Sequence, residues 1–278
     1  MTTLHIVLSD IELSGAVIAK IALLQQRYSA KLNWYIHHHP RLLDRIYFSG
    51  ELAFLSENIQ KDYQQKIKKL IIKINKSFQH SETSVIREKY WGNILDQQAH
   101  KQDPRIIIKP QAGLSSAANQ YINNNKSLVY LLNQEQWHSH GKVVGAIDPC
   151  HEDDVDNESD TKVLKFMQAW QVYSKDENWR LIHAINIPPL SIEYERQIEK
   201  IHKEQVYHFA KRLKCATEHL TFVMGTPEQA LVTYARKNKV DMTVLGARAH
   251  TTFDKWLNGS TISALIEHQS IDLVLLNN

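Results

Sequence analysis

The two halves of the chain carry the same pattern, and that repeat limits the fold more than any other feature. The apolar run from His5 to Leu8, closed by Ser9-Asp10, is answered by 143–148, an offset of 138 residues from Asp10 to Asp148. Leu131-Leu132-Asn133 is answered by Leu275-Leu276-Asn277, at an offset of 144 residues. Short apolar runs read as strands at 4–8, 31–36, 85–91, 105–109 and 128–132, and again at 143–148, 181–185, 220–224, 242–245 and 273–276. Leu55, Ile59, Tyr63, Ile67, Leu70 and Ile74 recur at spacings of three and four, which is a helical period. Further helices are expected over 13–28, 115–123, 191–213 and 228–237, the last behind Thr226-Pro227, a cap with proline at the first helical position. Such alternation with short connections predicts an α/β protein of two tandem doubly wound domains, each with a five-stranded, mostly parallel sheet. The domains are expected over 1–138 and 139–278, joined through residues 134–141.

Composition sets the outer limits. The 278 residues are 43% hydrophobic and 23% charged, which excludes a disordered or collagen-like chain. No run of eighteen apolar residues is present, and the opening Met-Thr-Thr-Leu-His-Ile-Val-Leu lacks a basic leader. Neither a membrane partner nor a secretory signal is therefore expected. A net charge of +3, with both signs spread along the chain, is no nucleic-acid footprint. Two cysteines, Cys150 and Cys215, are too few for a disulfide scaffold and suit a cytoplasmic location.

The halves diverge in one place. After its fourth strand the second half runs Gly246-Ala247-Arg248-Ala249, then a loop, then Gly259-Ser260-Thr261, whereas the first passes quickly from Lys109-Pro110 to Ser115-Ser116. The offset grows from 137 to 144 across this point, so the first half lacks seven loop residues. A strand, a glycine, a long loop and Gly-Ser at a helix start suit an anion, because free N–H groups and the two hydroxyls all donate. An ordinary strand-to-helix loop with a Ser cap has the same letters. Asp148, ending the first strand of the second domain, would face the same crevice and could accept from an adenine amino group.

The stretch Val240-Asp241-Met242-Thr243-Val244-Leu245-Gly246, the spaced Gly259-Ser260, the closing Asp272-Leu273-Val274-Leu275-Leu276 and the turn Gly225-Thr226-Pro227-Glu228 resemble the universal stress protein family. Its nucleotide-binding members carry G-x2-G-x9-G-[S/T]. Two copies in one chain, the first degenerate, are similar to the tandem E-type members, whose fold is of the adenine nucleotide alpha hydrolase kind. The resemblance implies a stress-response or protective role through an adenine nucleotide, ATP with Mg²⁺, held in the second domain. It places Asp148 against adenine, Ile147 and Ala184 as apolar walls, and Gly246, Ala249, Gly259, Ser260 and Thr261 along ribose and phosphates. Ala249 stands where the family has its second glycine. The first domain, with Asp10 at its strand end but no loop, is expected to be a packing partner only.

No general base or activated nucleophile stands beside the loop, so the protein is not expected to be an enzyme beyond slow, incidental ATP hydrolysis. The competing reading is an interaction-only stress protein in which both crevices have decayed. An adenylate-transferring synthetase would share the alternation but need a second substrate pocket that the sequence does not show. Residues 152–160 are strongly acidic and follow Asp148; they would repel a triphosphate unless Mg²⁺ bridged them, and they also suit a solvated loop with Asp160 at a helix start. His37-His38-His39 and Cys150-His151 read as a solvated strand end and a weak zinc candidate, so no metal ligand is assigned. The lysines between Lys66 and Lys76 mark the wet face of a helix. As the stress proteins pair through their final strands, the resemblance implies that the two final strands meet within the chain as a pseudo-dimer, with a homodimer of chains optional.

Overall fold

A computed structural model describes residues 2–9, 12–37, 50–88, 90–100, 102–110, 114–125, 127–138, 142–150, 156–174, 179–247 and 271–277. These residues form an α/β protein that divides into two compact units. The first holds 1–121 and 132–136, the second 122–131 and 137–278.

In the first unit β1 (Thr3–Leu8), β2 (Lys31–His37), β3 (Glu82–Ile86) and β4 (Arg105–Ile108) are parallel, in the order β3-β2-β1-β4. Helix α1 (Gly15–Tyr28) starts where the Ser14 hydroxyl accepts the Val17 N–H and stops at Ser29, which turns left-handed. It buries Val17, Ile21 and Leu24, with Lys20 on the same stripe satisfied by the Asn133 side chain at 2.9 Å. On α2 (Gly50–Ser77) the expected period holds through Leu70 and Ile74, both buried, while Lys66 pairs outward with Asp62. The third strand stops at Ile86, short of the expected Trp91. Trp91 instead opens a helix, α3 (Gly92–Gln98), and buries its ring 4.8 Å from that of Tyr121. Helix α4 (Ser116–Asn124) follows.

A polar network closes the amino end of this sheet. The buried Asp103 carboxylate accepts N–H bonds from Thr3 (3.1 Å) and His100 (3.2 Å) and lies 3.5 Å from His5. Burial pushes its pKa up, but those hydrogen bonds and His5 outweigh burial and hold it below the usual carboxylate value.

The second unit contains β5 (Leu128–Leu132), β6 (Val143–Ala146), β7 (Arg180–Ile185), β8 (Leu220–Met224), β9 (Met242–Ala247) and β10 (Asp272–Asn277). Strands β6 to β10 are parallel and ordered β10-β9-β6-β7-β8, which repeats the order of the first half. Strand β5 lies antiparallel on the far side of β10, with Leu131 opposite Leu273 and Val129 opposite Leu275. Helix α5 (Glu158–Ser174), where the sequence suggests an acidic loop with only a helix start, buries Asp160, Val163, Leu164, Met167 and Trp170 on one stripe. It packs on β6, β9 and β10. The expected 191–213 helix is a 3₁₀ turn over Pro189–Tyr194 that runs into α6 (Glu195–Arg212). Helix α7 (Pro227–Lys237) returns the chain from β8 to β9. That crossover runs opposite to those of α5 and α6, so right-handedness sends α7 to the other face of the sheet. It is preceded by Gly225, whose φ of +116° is open only to glycine without strain.

Two buried carboxylates fix the start of β6. Asp241 accepts backbone N–H groups from His138 (2.8 Å) and Lys142 (2.7 Å) and the His138 ring nitrogen at 2.7 Å. Asp272, fully buried, accepts the Trp137 indole N–H at 2.7 Å.

Two outcomes are expected. Asp103→Asn should lower stability at pH 7 in urea titrations. Because the folded pKa is depressed, the native contribution is present above the unfolded value of about 3.9 and is lost as pH falls through the folded one. The gap between parent and variant should therefore close in acid, and a gap constant with pH would mean that this charge is not its source. Asp241→Ala strands two backbone donors and should cost about 2–3 kcal/mol in the same measurement.

Candidate functional site

The carboxyl ends of β6 and β7 meet helices α5 and α6 in one small region of the second unit. Ile147 extends β6 by one residue, donating its N–H to Ile182 O at 3.0 Å, and its side chain is buried. The next N–H, of Asp148, is accepted by Asp160 at 3.0 Å. Asp160 is buried in the first turn of α5, where a carboxylate is favoured by the free N–H groups of the helix start. It therefore does more than support the helix: it holds the strand end. The Asp148 carboxylate itself remains 53% exposed.

His183 stands beside it on β7 and is 1% exposed. Its Nδ1 lies 3.1 Å from Ile147 O and 3.7 Å from Asp148 Oδ1. A carbonyl only accepts, so Nδ1 carries the proton and Nε2 keeps a lone pair. That lone pair faces His202 Nδ1 at 2.7 Å. Burial pushes His183 below the ordinary imidazole value; the Ile147 carbonyl and Asp148 pull the other way, and His202 adds to the lowering. The edge of the ring meets Phe222 at 6.3 Å. His202 reaches the sheet because it shares the α6 stripe of Val206, Phe209 and Ala210, which are buried at helical spacing from it.

Cys150 completes the group. Its sulfur and ligand nitrogens of His183 and His202 all lie within 4.8 Å of one another. Burial pushes the Cys150 thiol up to about 11, with Asp148 and Asp160 adding to the rise.

Among the expected site residues, Ile147, Asp148, Ala184 and Gly246 lie within the described residues, and Ala249, Gly259, Ser260 and Thr261 lie outside them, as does Asp10. Strand alternation places Ala184 on the face of β7 opposite to His183, half-buried and paired with Val223. Gly246 stands near the end of β9 against α5. A Cβ there would come within 2.8 Å of the Ser159 Cβ and 3.0 Å of its carbonyl oxygen. This glycine thus has a packing role that the sequence reading did not assign. His183 and His202 were also missed. Their signal was present: one histidine inside the apolar strand Leu-Ile-His-Ala-Ile, another on the apolar stripe of a helix. In the first unit His37 Nε2 meets the Glu88 carbonyl at 3.0 Å, and His38 and His39 lie outside the described residues.

Residues 157–277 match the sequence model of the universal stress protein family. Among solved structures, the chain is similar to a functionally unknown protein from Pseudomonas aeruginosa PAO1. That match has a TM-score of 0.67 at 16% identity and covers 99% of this chain and 92% of the other. A candidate universal stress protein from Pseudomonas aeruginosa UCBPP-PA14 gives 0.66 at 15% identity, over 99% and 92% of the two chains. A universal stress protein from Archaeoglobus fulgidus DSM 4304 gives 0.55 at 13% identity, over 99% and 96%. At these identities the likeness establishes the fold. No curated protein matches the chain by sequence.

Gly246→Ala should force α5 off β9 and cost about 1–3 kcal/mol in a denaturant melt. A neutral result would mean that the Ser159 backbone can yield at no cost.

Proposed function

We propose that the chain is a tandem universal stress protein, with domains over 1–138 and 139–278, which acts in the stress response through an adenine nucleotide bound by its second half. The observation that carries this reading is the Asp148 carboxylate. It stands exposed at the carboxyl end of β6, on a backbone fixed by Asp160, inside a half whose residues 157–277 match the family. Ligands of open α/β sheets bind at this edge, where an adenine amino group would donate to the carboxylate. In this reading Ile147 and Ala184 form apolar walls, and Gly246, Ala249, Gly259, Ser260 and Thr261 follow ribose and phosphates. Mg²⁺ would offset the acidic residues after Asp148.

The role is regulatory binding and not catalysis. Among the described residues no helix is long and apolar enough to cross a membrane, and the two cysteines are free, which supports a cytoplasmic setting. The antiparallel β5–β10 pair supports a chain that serves as its own pseudo-dimer through its two final strands.

Calorimetry with ATP and Mg²⁺ should show one site per chain. Gly259→Val should abolish it without loss of fold, and Asp148→Ala should weaken ATP by roughly tenfold, the loss of one good hydrogen bond. Two equivalent sites would defeat the assignment to the second half. No binding of ATP, ADP or AMP would favour the interaction-only protein.

A further inference from the structure

Cys150, His183 and His202 come from three separate places in the sequence: the segment after β6, the strand β7 and the helix α6. A chance surface cluster would show exposed groups from one loop. Here His183 is 1% exposed, and its fixed Nδ1 proton aims the Nε2 lone pair into the cluster. His202 arrives on the buried stripe of a helix whose other members anchor it to the sheet. We propose that these three side chains bind a single Zn²⁺ ion through Cys150 Sγ, His183 Nε2 and His202 Nδ1.

The donor set fits the metal. One thiolate and two imidazoles suit a borderline-soft divalent ion in a tetrahedral site, and three protein ligands leave a fourth position for water or an anion. The Ile147 carbonyl and the Asp148 carboxylate lie on the far nitrogen of His183, the outer partners that orient a metal-bound imidazole. Two nitrogens sharing a tetrahedral zinc stand about 3.3 Å apart, given bonds of about 2.0–2.1 Å. The observed 2.7 Å is a hydrogen bond. Metal binding therefore releases the Cys150 thiol proton to solvent, shifts the His202 proton from Nδ1 to Nε2 by exchange with solvent, and opens the imidazole pair by about half an ångström. Helix α6 supplies that movement by a side-chain rotation of His202, which is only half-buried.

The three ligands are distinct from the expected phosphate loop, and Asp148 touches the site only through the far nitrogen of His183, so the site is tested in the absence of nucleotide. The test uses the full chain without nucleotide, stripped by chelator and titrated with Zn²⁺ and with Co²⁺. One equivalent of either ion should bind, and Co²⁺ should give tetrahedral ligand-field bands and a thiolate charge-transfer band. Cys150→Ser should remove the charge-transfer band, and His202→Gln should weaken Zn²⁺ by at least tenfold. Cys215→Ser should change neither, and circular dichroism checks that each variant is folded. His202→Gln, being half-buried, serves if Cys150→Ser fails to fold. Absence of stoichiometric binding by the parent, or a charge-transfer band that survives Cys150→Ser, overturns the proposal.

Discussion

Unpaired carboxylates do not survive burial, and that cost organises the second half of this protein. Asp241 and Asp272 lie at the starts of β9 and β10, both shut off from water, and each must find donors. They find them in the segment that leads into β6, through the N–H groups of His138 and Lys142 and the Trp137 indole. The same bonds fix where β6 begins. Its register against β9 and β7 follows, and so does the point at which Ile147 and Asp148 leave the sheet. Trp137 extends the anchor by meeting Trp170 of α5 edge-on at 6.2 Å. A carboxylate at the other end of β6 repeats the device, since Asp160 ties the first turn of α5 to the Asp148 N–H.

The region at the β6 and β7 ends gives one carboxylate both an open face and a buried imidazole beside it. Asp148 is open enough to meet a solvent-borne donor, yet it lies 3.7 Å from the protonated nitrogen of His183. A donor from solvent on one oxygen and the N–H of a neutral imidazole near the other are compatible, because both donate. The neutral state of His183, favoured by its burial, keeps the Nε2 lone pair available at neutral pH.

The succession of strands along the chain is legible because apolar runs and turn residues mark it without reference to distant contacts. Leu128–Leu132 and Leu220–Met224 match the sequence expectation to the residue, and each of the other strands lies within a few residues of it, except the third. That strand was overextended through Trp91, whose burial comes from Tyr121, thirty residues away, and not from the strand pattern. Helix α5 was hidden by the acidic letters of its first turn, although Val163, Leu164, Met167 and Trp170 carry the period. Of the site, Asp148 was readable as a strand-end carboxylate. Gly246 was readable only as a glycine: its packing partner, Ser159, lies far off in the sequence. The His183–His202 pair was not readable, because a buried histidine and a helical one meet only after α6 has docked.

The antiparallel seat of β5 against β10 has a consequence for how the chain is made. Leu131 meets Leu273, a partner synthesised about 140 residues later, which is a long-range contact and slow to close. On a ribosome emitting roughly 5–20 residues per second, that is on the order of ten seconds during which the edge of the Leu-Val-Tyr-Leu-Leu segment that later meets β10 has no partner. The nascent first half is thus the stage most open to strand exchange with neighbouring polypeptides, and a chaperone that shields extended apolar segments would act there.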